Sequence, residues 1–168
     1  ARPIGVVNGI DFHHTGRVRR VDAGGINQQL ADGSIVLLSP LGYSPTGEIF
    51  NLALEDIAVQ CAAAIGADKL VLFGSEAGVL TDNGVLIRQC AAGEIDELAV
   101  ADPQQASLLQ SAKRACLAQV ERCHIISYED DCALLQELFT HDGCGTLVAN
   151  DDYELSCEAS IDDVGGIL

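Results

Sequence analysis

RCHIISYEDDCALLQELFTHDGCGTLV, residues 122–148, is the stretch of sequence from which the fold can be worked out. The apolar run at 123–126 predicts a buried strand, and an acidic turn follows it. The leucine-rich segment after the turn predicts a helix over about 131–139. Glycines on both sides of Cys144 predict a second turn, with another strand at 146–148. The stretch therefore predicts a strand–helix–strand unit, which is typical of an α/β sheet.

Three polar features of this unit can meet at one end of the sheet: His124, Glu137 and the Gly-Cys-Gly-Thr turn at 143–146. A carboxylate, an imidazole and open backbone groups would suit a small cationic, amino-acid-like ligand. Glu137 lies among leucines, and a buried carboxylate there needs a partner, either a ligand guanidinium or an arginine of the protein. His124 fits a plain core histidine as well as a ligand contact. From these residues alone, a sensor pocket and a catalytic pocket both stay open.

The rest of the chain continues the alternation of strands and helices. Asn8-Gly9, set between alternating apolar and polar residues, predicts a β-hairpin. Helices are predicted at 23–30, 51–65 and 107–121, and strands at 35–38, 70–73 and 85–87. This order predicts an α/β fold, a three-layer αβα sandwich with a mainly parallel sheet and an N-terminal β-hairpin.

The composition limits the function. The 168 residues are 48% hydrophobic but only 4% aromatic, so the core must be aliphatic. A net charge of −16 repels phosphate backbones and anionic membranes, so we expect neither nucleic-acid nor membrane binding. None of the seven cysteines has C-x-x-C spacing. We therefore expect no metal site and reduced, mostly buried thiols in a cytoplasmic protein.

Two further segments offer weaker candidates. The loop at 39–47, SPLGYSPTG, precedes a predicted helix and could hold an anion at the helix N-terminus. Most strand-to-helix loops have this composition, however, and Glu55 and Asp56 nearby would repel a phosphate. Asn51 is expected to be a helix N-cap rather than a ligand group. Lys69 precedes a buried strand and could reach a ligand carboxylate, or simply be solvated.

Several motifs, taken in order, resemble those of bacterial N-acetylglutamate synthases. They are VRRVD at 18–22, LSPLGYS at 38–44, ADKL at 67–70, ALLQELFTHDGCGT at 133–146 and DDVGGIL at 162–168. The similarity covers essentially the whole chain, and the last two motifs together are specific. In that family an amino acid kinase-like domain precedes an acetyltransferase domain of the GNAT type.

The resemblance implies a cytoplasmic enzyme of arginine biosynthesis that transfers acetyl from acetyl-CoA to L-glutamate and is inhibited by L-arginine. Residues 1–150 would be the C-terminal part of the kinase-like, arginine-sensing domain, and residues 151–168 a linker and the start of the acetyltransferase domain. The CoA-binding loop of GNAT enzymes does not occur here. We therefore expect a piece of a longer protein, without catalytic residues or cofactor of its own, and acetyl-CoA as a substrate of the parent enzyme. The family also implies a homo-oligomer.

The resemblance also implies which residues bind arginine. The positions that match the arginine site of related kinases are Lys69, His124, Glu137 and Gly143, and Glu137 would pair with the guanidinium. The alternative is an acetylglutamate kinase-like phosphotransferase. Those kinases carry N-x-N-A-D where this chain has Asn-Leu-Ala-Leu-Glu at 51–55. Because phosphoryl transfer depends on positioned charges, this departure disfavours the alternative.

Overall fold

The computed structural model describes residues 1–140 and 143–150. The strands in these ranges are β1 (Arg2–Pro3), β2 (Val6–Val7), β3 (Ile10–Asp11), β4 (Gly16–Arg17), β5 (Leu41–Tyr43), β6 (Ile49–Asn51), β7 (Lys69–Gly74), β8 (Gln89–Ala91), β9 (Arg122–Ser127) and β10 (Thr146–Ala149). The helices are α1 (Ala23–Ala31), α2 (Leu54–Ile65), α3 (Pro103–Leu117) and α4 (Ala133–Phe139), with one 3-10 turn at Ile95–Glu97.

The N-terminal segment is an antiparallel ribbon, as predicted. Asn8 and Gly9 form its tip with φ angles of 52° and 80°, the left-handed values that a two-residue type I′ turn requires. The turn joins β2 to β3, and β1 pairs with β4 farther along the ribbon.

The central sheet has the strand order β7-β9-β10-β8. β9 pairs with β7 in parallel and with β10 antiparallel, and β10 pairs with β8 in parallel, so two of the three pairings are parallel. The register aligns His124 of β9 with Val71 of β7 and with Leu147 of β10. Side chains at paired positions point to the same face of a sheet, so these three residues form one row.

Helices cover both faces of this sheet. Cys123 and Ile125 of β9 pack into a core with α3, while His124 between them reaches Glu137 of α4 on the opposite side. Because successive residues of a strand point to opposite faces, α3 and α4 lie on opposite faces. Helix α2 packs beside α3. The predicted three-layer αβα sandwich is confirmed.

The core between the sheet and α3 is aliphatic and also contains three thiols. Cys90, Cys116 and Cys123 all lie in it. Burial raises the pKa of Cys90 to about 11, with smaller contributions from Cys116 and Glu94, and burial also raises the pKa of Cys116 and Cys123. The described cysteines are free, four of them buried, so the prediction of mostly buried thiols is confirmed.

The predicted start of α3 is late by four residues, because the capping signal lies upstream of the apolar pattern. Asp102 accepts hydrogen bonds from the N–H groups of Gln104 and Gln105, each at 3.2 Å. Pro103 occupies the first helical position, where its missing N–H costs nothing.

The apolar run at 35–38 does not form a buried strand, so that prediction is wrong. The side chains of Ile35 and Leu37 are 89% and 91% exposed, and no strand among the described residues pairs with the run. A continuous apolar run is the pattern of a strand covered on both faces. It gives no information about which segment covers it, and none of the described segments does.

Asn51 does not begin a helix, which is a second wrong prediction. It ends β6, and its N–H donates to the His14 carbonyl at 2.7 Å. Helix α2 begins at Leu54 after Ala53, which makes no side-chain capping bond. Most of the loop at 39–47 belongs to the β5–β6 hairpin. It therefore leads into a strand, and the helix N-terminus proposed there as an anion site is absent from the described residues.

The strand predicted at 85–87 is wrong, because Leu86 forms only an isolated bridge with Leu80 and the regular strand is Gln89–Ala91. The predicted domain boundary at 150–151 stays a prediction, since 151–168 lies outside the described residues. Of the helices described, none has the length and apolar character needed to cross a membrane.

Thr146 provides a test of how the sheet is joined to the loop before β8. Its Oγ1 accepts from the Val79 N–H at 2.8 Å and donates to the Ile87 carbonyl at 2.6 Å, and the residue is fully buried. Thr146→Val leaves both backbone groups unpaired, so we expect a loss of about 1–3 kcal/mol in the free energy of unfolding, measured with urea. The control is Thr46→Val on the exposed hairpin, with an expected change within about 0.5 kcal/mol. Equal losses in the two variants would contradict this role.

Candidate ligand site between the sheet and helix α4

Helix α4 is short, and its inner face carries a single acidic residue. The chain enters the helix through Cys132 at φ 70°, and the helix buries Ala133 and Glu137 against the sheet. Leu134, Leu135 and Phe139 remain at least 40% exposed. The polar Glu137 therefore points inward while most of the apolar residues of α4 point outward, the reverse of a helix whose main role is core packing.

Glu137 forms a buried pair with His124. Nδ1 of His124 lies 2.7 Å from Oε1 of Glu137, and the two side chains are 8% and 5% exposed. Since an ionised carboxylate can only accept hydrogen bonds, Nδ1 must carry the hydrogen. The other ring nitrogen, Nε2, is an acceptor in the neutral imidazole and a donor in the imidazolium.

The second oxygen of Glu137 holds the turn that follows α4. Oε2 accepts from the N–H groups of Cys144 and Gly145, at 2.7 and 2.8 Å. Gly143 has a left-handed φ of 58°, and a Cβ at this position would lie 2.6 Å from Oε2. A Cβ on Gly145 would collide with the carbonyl of Ile125. The two glycines are therefore needed for the backbone to approach the carboxylate and the sheet this closely.

Two effects oppose each other in setting the pKa of Glu137. Burial alone would raise it, but hydrogen bonds from His124, Gly145 and Cys144 outweigh burial and hold the pKa below the ordinary value of 4.5. The carboxylate is therefore ionised at neutral pH and keeps a negative charge inside the protein.

An open cleft of about 620 Å³ lies beside this pair. All four residues predicted to form the ligand site line it: Lys69, His124, Glu137 and Gly143. The structure thus brings together residues that are up to 74 positions apart in the sequence, from 69 to 143.

The cleft also contains residues that the sequence analysis missed. The most important are Arg88 and Arg122, with Gln89 and Thr140 at the wall. Lys69 and Arg122 are register partners on β7 and β9, and they lie two positions along the strands from the row of His124. With Arg88, three of the nine basic residues of this acidic protein line one cleft. Register pairing could have suggested Arg122, but nothing in the local sequence marks Arg88.

Nε2 of His124 is buried and has no hydrogen-bond partner among the described residues. Leaving a buried polar atom unpaired is costly, and most such atoms in proteins find a partner. Here the unpaired atom belongs to a residue that lines an open cleft. The site therefore offers an unpaired ring nitrogen next to an ionised carboxylate, and the carboxylate suits a ligand rich in N–H donors. Within the described ranges, no group of three His, Cys, Asp or Glu residues could hold a metal ion.

Residues 2–127 match the amino acid kinase family, which is 126 of the 168 residues of the chain. The chain belongs to the amino acid kinase family. This agrees with the fold, in which helices cover both faces of a mixed sheet.

Individual relatives define the similarity more narrowly than the family does. Amino-acid acetyltransferases from Pseudomonas fluorescens strains Pf0-1 and SBW25 are each 56% identical to it over the whole chain. The chain spans about two fifths of the length of these relatives, 39% and 40%.

Solved structures of similar proteins point to the same group of acetyltransferases. N-acetylglutamate synthase from Neisseria gonorrhoeae, complexed with coenzyme A and L-arginine, has a TM-score of 0.88 and 35% identity, covering 99% of this chain and 39% of that one. The same enzyme with coenzyme A and N-acetyl-glutamate gives 0.86 and 34%, over 98% and 40%. Carbamate kinase from Giardia lamblia bound to AMP-PNP, with a TM-score of 0.62 and 14% identity over 82% of this chain and 47% of that one, shares the fold alone. The resemblance to N-acetylglutamate synthases is confirmed.

Glu137→Gln tests the charge of the buried pair. Because the folded pKa of Glu137 lies below its ordinary value, the ionised carboxylate stabilises the fold fully above pH 4.5, and this contribution is lost as the pH falls through the lowered pKa. We expect the variant to lose about 2–3 kcal/mol at neutral pH and the gap to wild type to narrow in acid, measured by urea unfolding at several pH values.

The matched control for this measurement is Glu121→Gln, which removes an equivalent charge from an exposed position. Its unfolding free energy should stay within about 0.5 kcal/mol of wild type at every pH. A gap for Glu137→Gln that is the same in acid as at neutral pH would show that the charge of Glu137 is unimportant.

Proposed function

We propose that this chain is the arginine-sensing region of an amino-acid N-acetyltransferase, an N-acetylglutamate synthase that transfers acetyl from acetyl-CoA to L-glutamate. The chain would act as a regulatory unit that binds L-arginine as feedback inhibitor. Whole-chain identity to amino-acid acetyltransferases supports the activity of the parent enzyme. The N. gonorrhoeae structure, complexed with both coenzyme A and L-arginine, supports the combination of acetyl transfer with arginine binding.

The observation that carries the arginine proposal is the set of acceptors around Glu137. A guanidinium has five N–H donors and no acceptor. The ionised carboxylate of Glu137 and the Gly143 carbonyl are acceptors in the same cleft, and the unpartnered Nε2 of His124 is a third when the ring is neutral. Three internal donors already bind the carboxylate, but its two oxygens together can accept about four. A guanidinium would add one bond to Glu137 and, with the ring of His124 neutral, would donate a second bond to Nε2.

The cations of the cleft favour an amino acid over a simple guanidine. Lys69 and Arg122 precede the row of His124 by two strand residues, which is roughly 6.6 Å along the strands. In an extended arginine, six bonds separate the guanidinium carbon from the carboxylate carbon, a similar distance of roughly 7 Å. In the proposed pose the guanidinium lies at Glu137 and the carboxylate points toward Lys69.

The alternative function, an acetylglutamate kinase-like phosphotransferase, is less well supported. The support for it is the fold, which this chain shares with carbamate kinase although the two are only 14% identical in sequence. Asn51, which would open the kinase motif, lies at the end of a strand, and Ala53 and Glu55 stand where kinases have a second Asn and the organising Asp. We further propose that the parent enzyme is a cytoplasmic homo-oligomer, as the resemblance implies.

Arginine binding is tested by calorimetry on the purified full-length protein. We expect saturable uptake of L-arginine that is abolished by Glu137→Ala, because the variant removes the charge that pairs with the guanidinium. Glu121→Ala, which removes an exposed carboxylate, should bind as wild type does. Circular dichroism must show that Glu137→Ala is folded. Unchanged affinity in that variant would remove Glu137 from the site.

Catalysis by the parent enzyme is tested separately. The full-length protein, given acetyl-CoA and L-glutamate, should release free CoA thiol and form N-acetyl-L-glutamate, and L-arginine should lower the rate. The second assay supplies ATP and N-acetyl-L-glutamate instead. Release of ADP there, without acetyl transfer in the first assay, would decide for the phosphotransferase.

A further inference from the structure

Arg88 places its own guanidinium at the proposed ligand site, where the guanidinium of a bound arginine would also lie. Its backbone carbonyl accepts from the Leu147 N–H at 2.9 Å, which fixes the main chain to β10. Its side chain is exposed and lines the cleft, and Nη1 donates to the Gly143 carbonyl at 3.5 Å. This bond is at the long limit for a hydrogen bond and is therefore weak.

The group that Arg88 presents is chemically the same as the group that the cleft is proposed to bind. It occupies the carbonyl of Gly143, next to Cys144, whose N–H is bound by Glu137. The positive charge of Arg88 also reaches this turn, since it lowers the pKa of Cys144 against the stronger effect of burial. An incoming guanidinium would therefore meet both an occupied acceptor and a like charge.

We propose that Arg88 is a specificity-determining residue that weakens binding of cationic ligands by holding the place of their guanidinium at Gly143. This inference rests on the proposed arginine binding. To bind, the ligand must displace the side chain of Arg88 into solvent. Because that side chain is exposed and its bond is long, displacement is easy, and Arg88 moderates the affinity without closing the site.

The opposite role for Arg88 makes an opposite prediction. If Arg88 bound the carboxylate of the ligand, its removal would weaken arginine binding and leave agmatine, which is arginine without its carboxylate, unaffected. As a place-holder for the guanidinium, Arg88 should weaken the binding of both compounds. The sign of the change and the comparison of the two ligands therefore separate the roles.

The experiment measures dissociation constants of L-arginine and agmatine by calorimetry for the full-length wild type, Arg88→Gln and Arg88→Lys. We expect Arg88→Gln to bind both ligands about 3–10 times more tightly than wild type, the range of one modest hydrogen bond. Arg88→Lys keeps the charge but lacks the planar fork, so its affinity should lie between the two. The control is Arg19→Gln, an exposed arginine that lines a different cleft and should change nothing.

The possible failures are distinguishable. If wild type binds arginine and Arg88→Gln binds it equally or more weakly, the role of Arg88 is wrong and the proposed function stands. If neither the wild type nor Arg88→Gln binds arginine, although the two unfold at the same temperature, the proposed arginine site is wrong and the inference about Arg88 is wrong with it. A gain that also appears in Arg19→Gln would assign the effect to net charge and overturn the specific role.

Discussion

The arrangement of this site depends on one buried carboxylate. Glu137 accepts hydrogen bonds from the ring of His124 and from two backbone N–H groups of the turn after α4. A charge taken out of water is tolerated only when it is paired and its lone pairs are satisfied. Those three donors belong to β9 and to the turn that enters β10. Glu137 thus connects a helix, the central strand and the next strand of the sheet, and fixes the position of the turn that forms one wall of the cleft.

The same requirement explains the glycines. The turn can deliver two N–H groups to one oxygen only if its backbone comes very close to the carboxylate and to β9. Side chains at positions 143 and 145 would collide with Glu137 and with the Ile125 carbonyl. The motif is therefore a single unit, in which the acid requires the close turn and the turn requires residues without a Cβ.

This unit could be predicted from the sequence because its parts are close together. The strand, the helix and the glycine turn lie within 27 residues, 122–148, and local pattern sufficed to propose that His124 and Glu137 meet. Arg88 could not be found in this way, since it reaches the cleft only through the pairing of β8 with β10, a long-range contact. The failure at 35–38 has the same origin, because an apolar run shows a preference for burial without naming what buries it.

The start of α3 is marked in the sequence. Asp102-Pro103 is a strong helix start, an acidic cap followed by proline, and it indicates the first residue of α3 better than the apolar spacing from Ser107 does. Asn51 is the opposite case, because its residue type favours a helix cap while the β-rich residues before it favour a strand, and the strand forms. The β5–β6 hairpin uses Ile49 and Phe50, both of which favour strands.

The thiols buried between the sheet and α3 have a consequence for the motions of the protein. Reagents attack the thiolate, and the pKa of each of these groups is raised by burial, so Cys116 and Cys123 should react only when this part of the molecule opens to water. Cys132 is exposed and needs no opening. The chain thus contains cysteines that react slowly with thiol reagents and one, Cys132, that reacts fast. Their relative rates report the free energy of opening of the central layer, in the way that amide hydrogen exchange does, without any introduced probe.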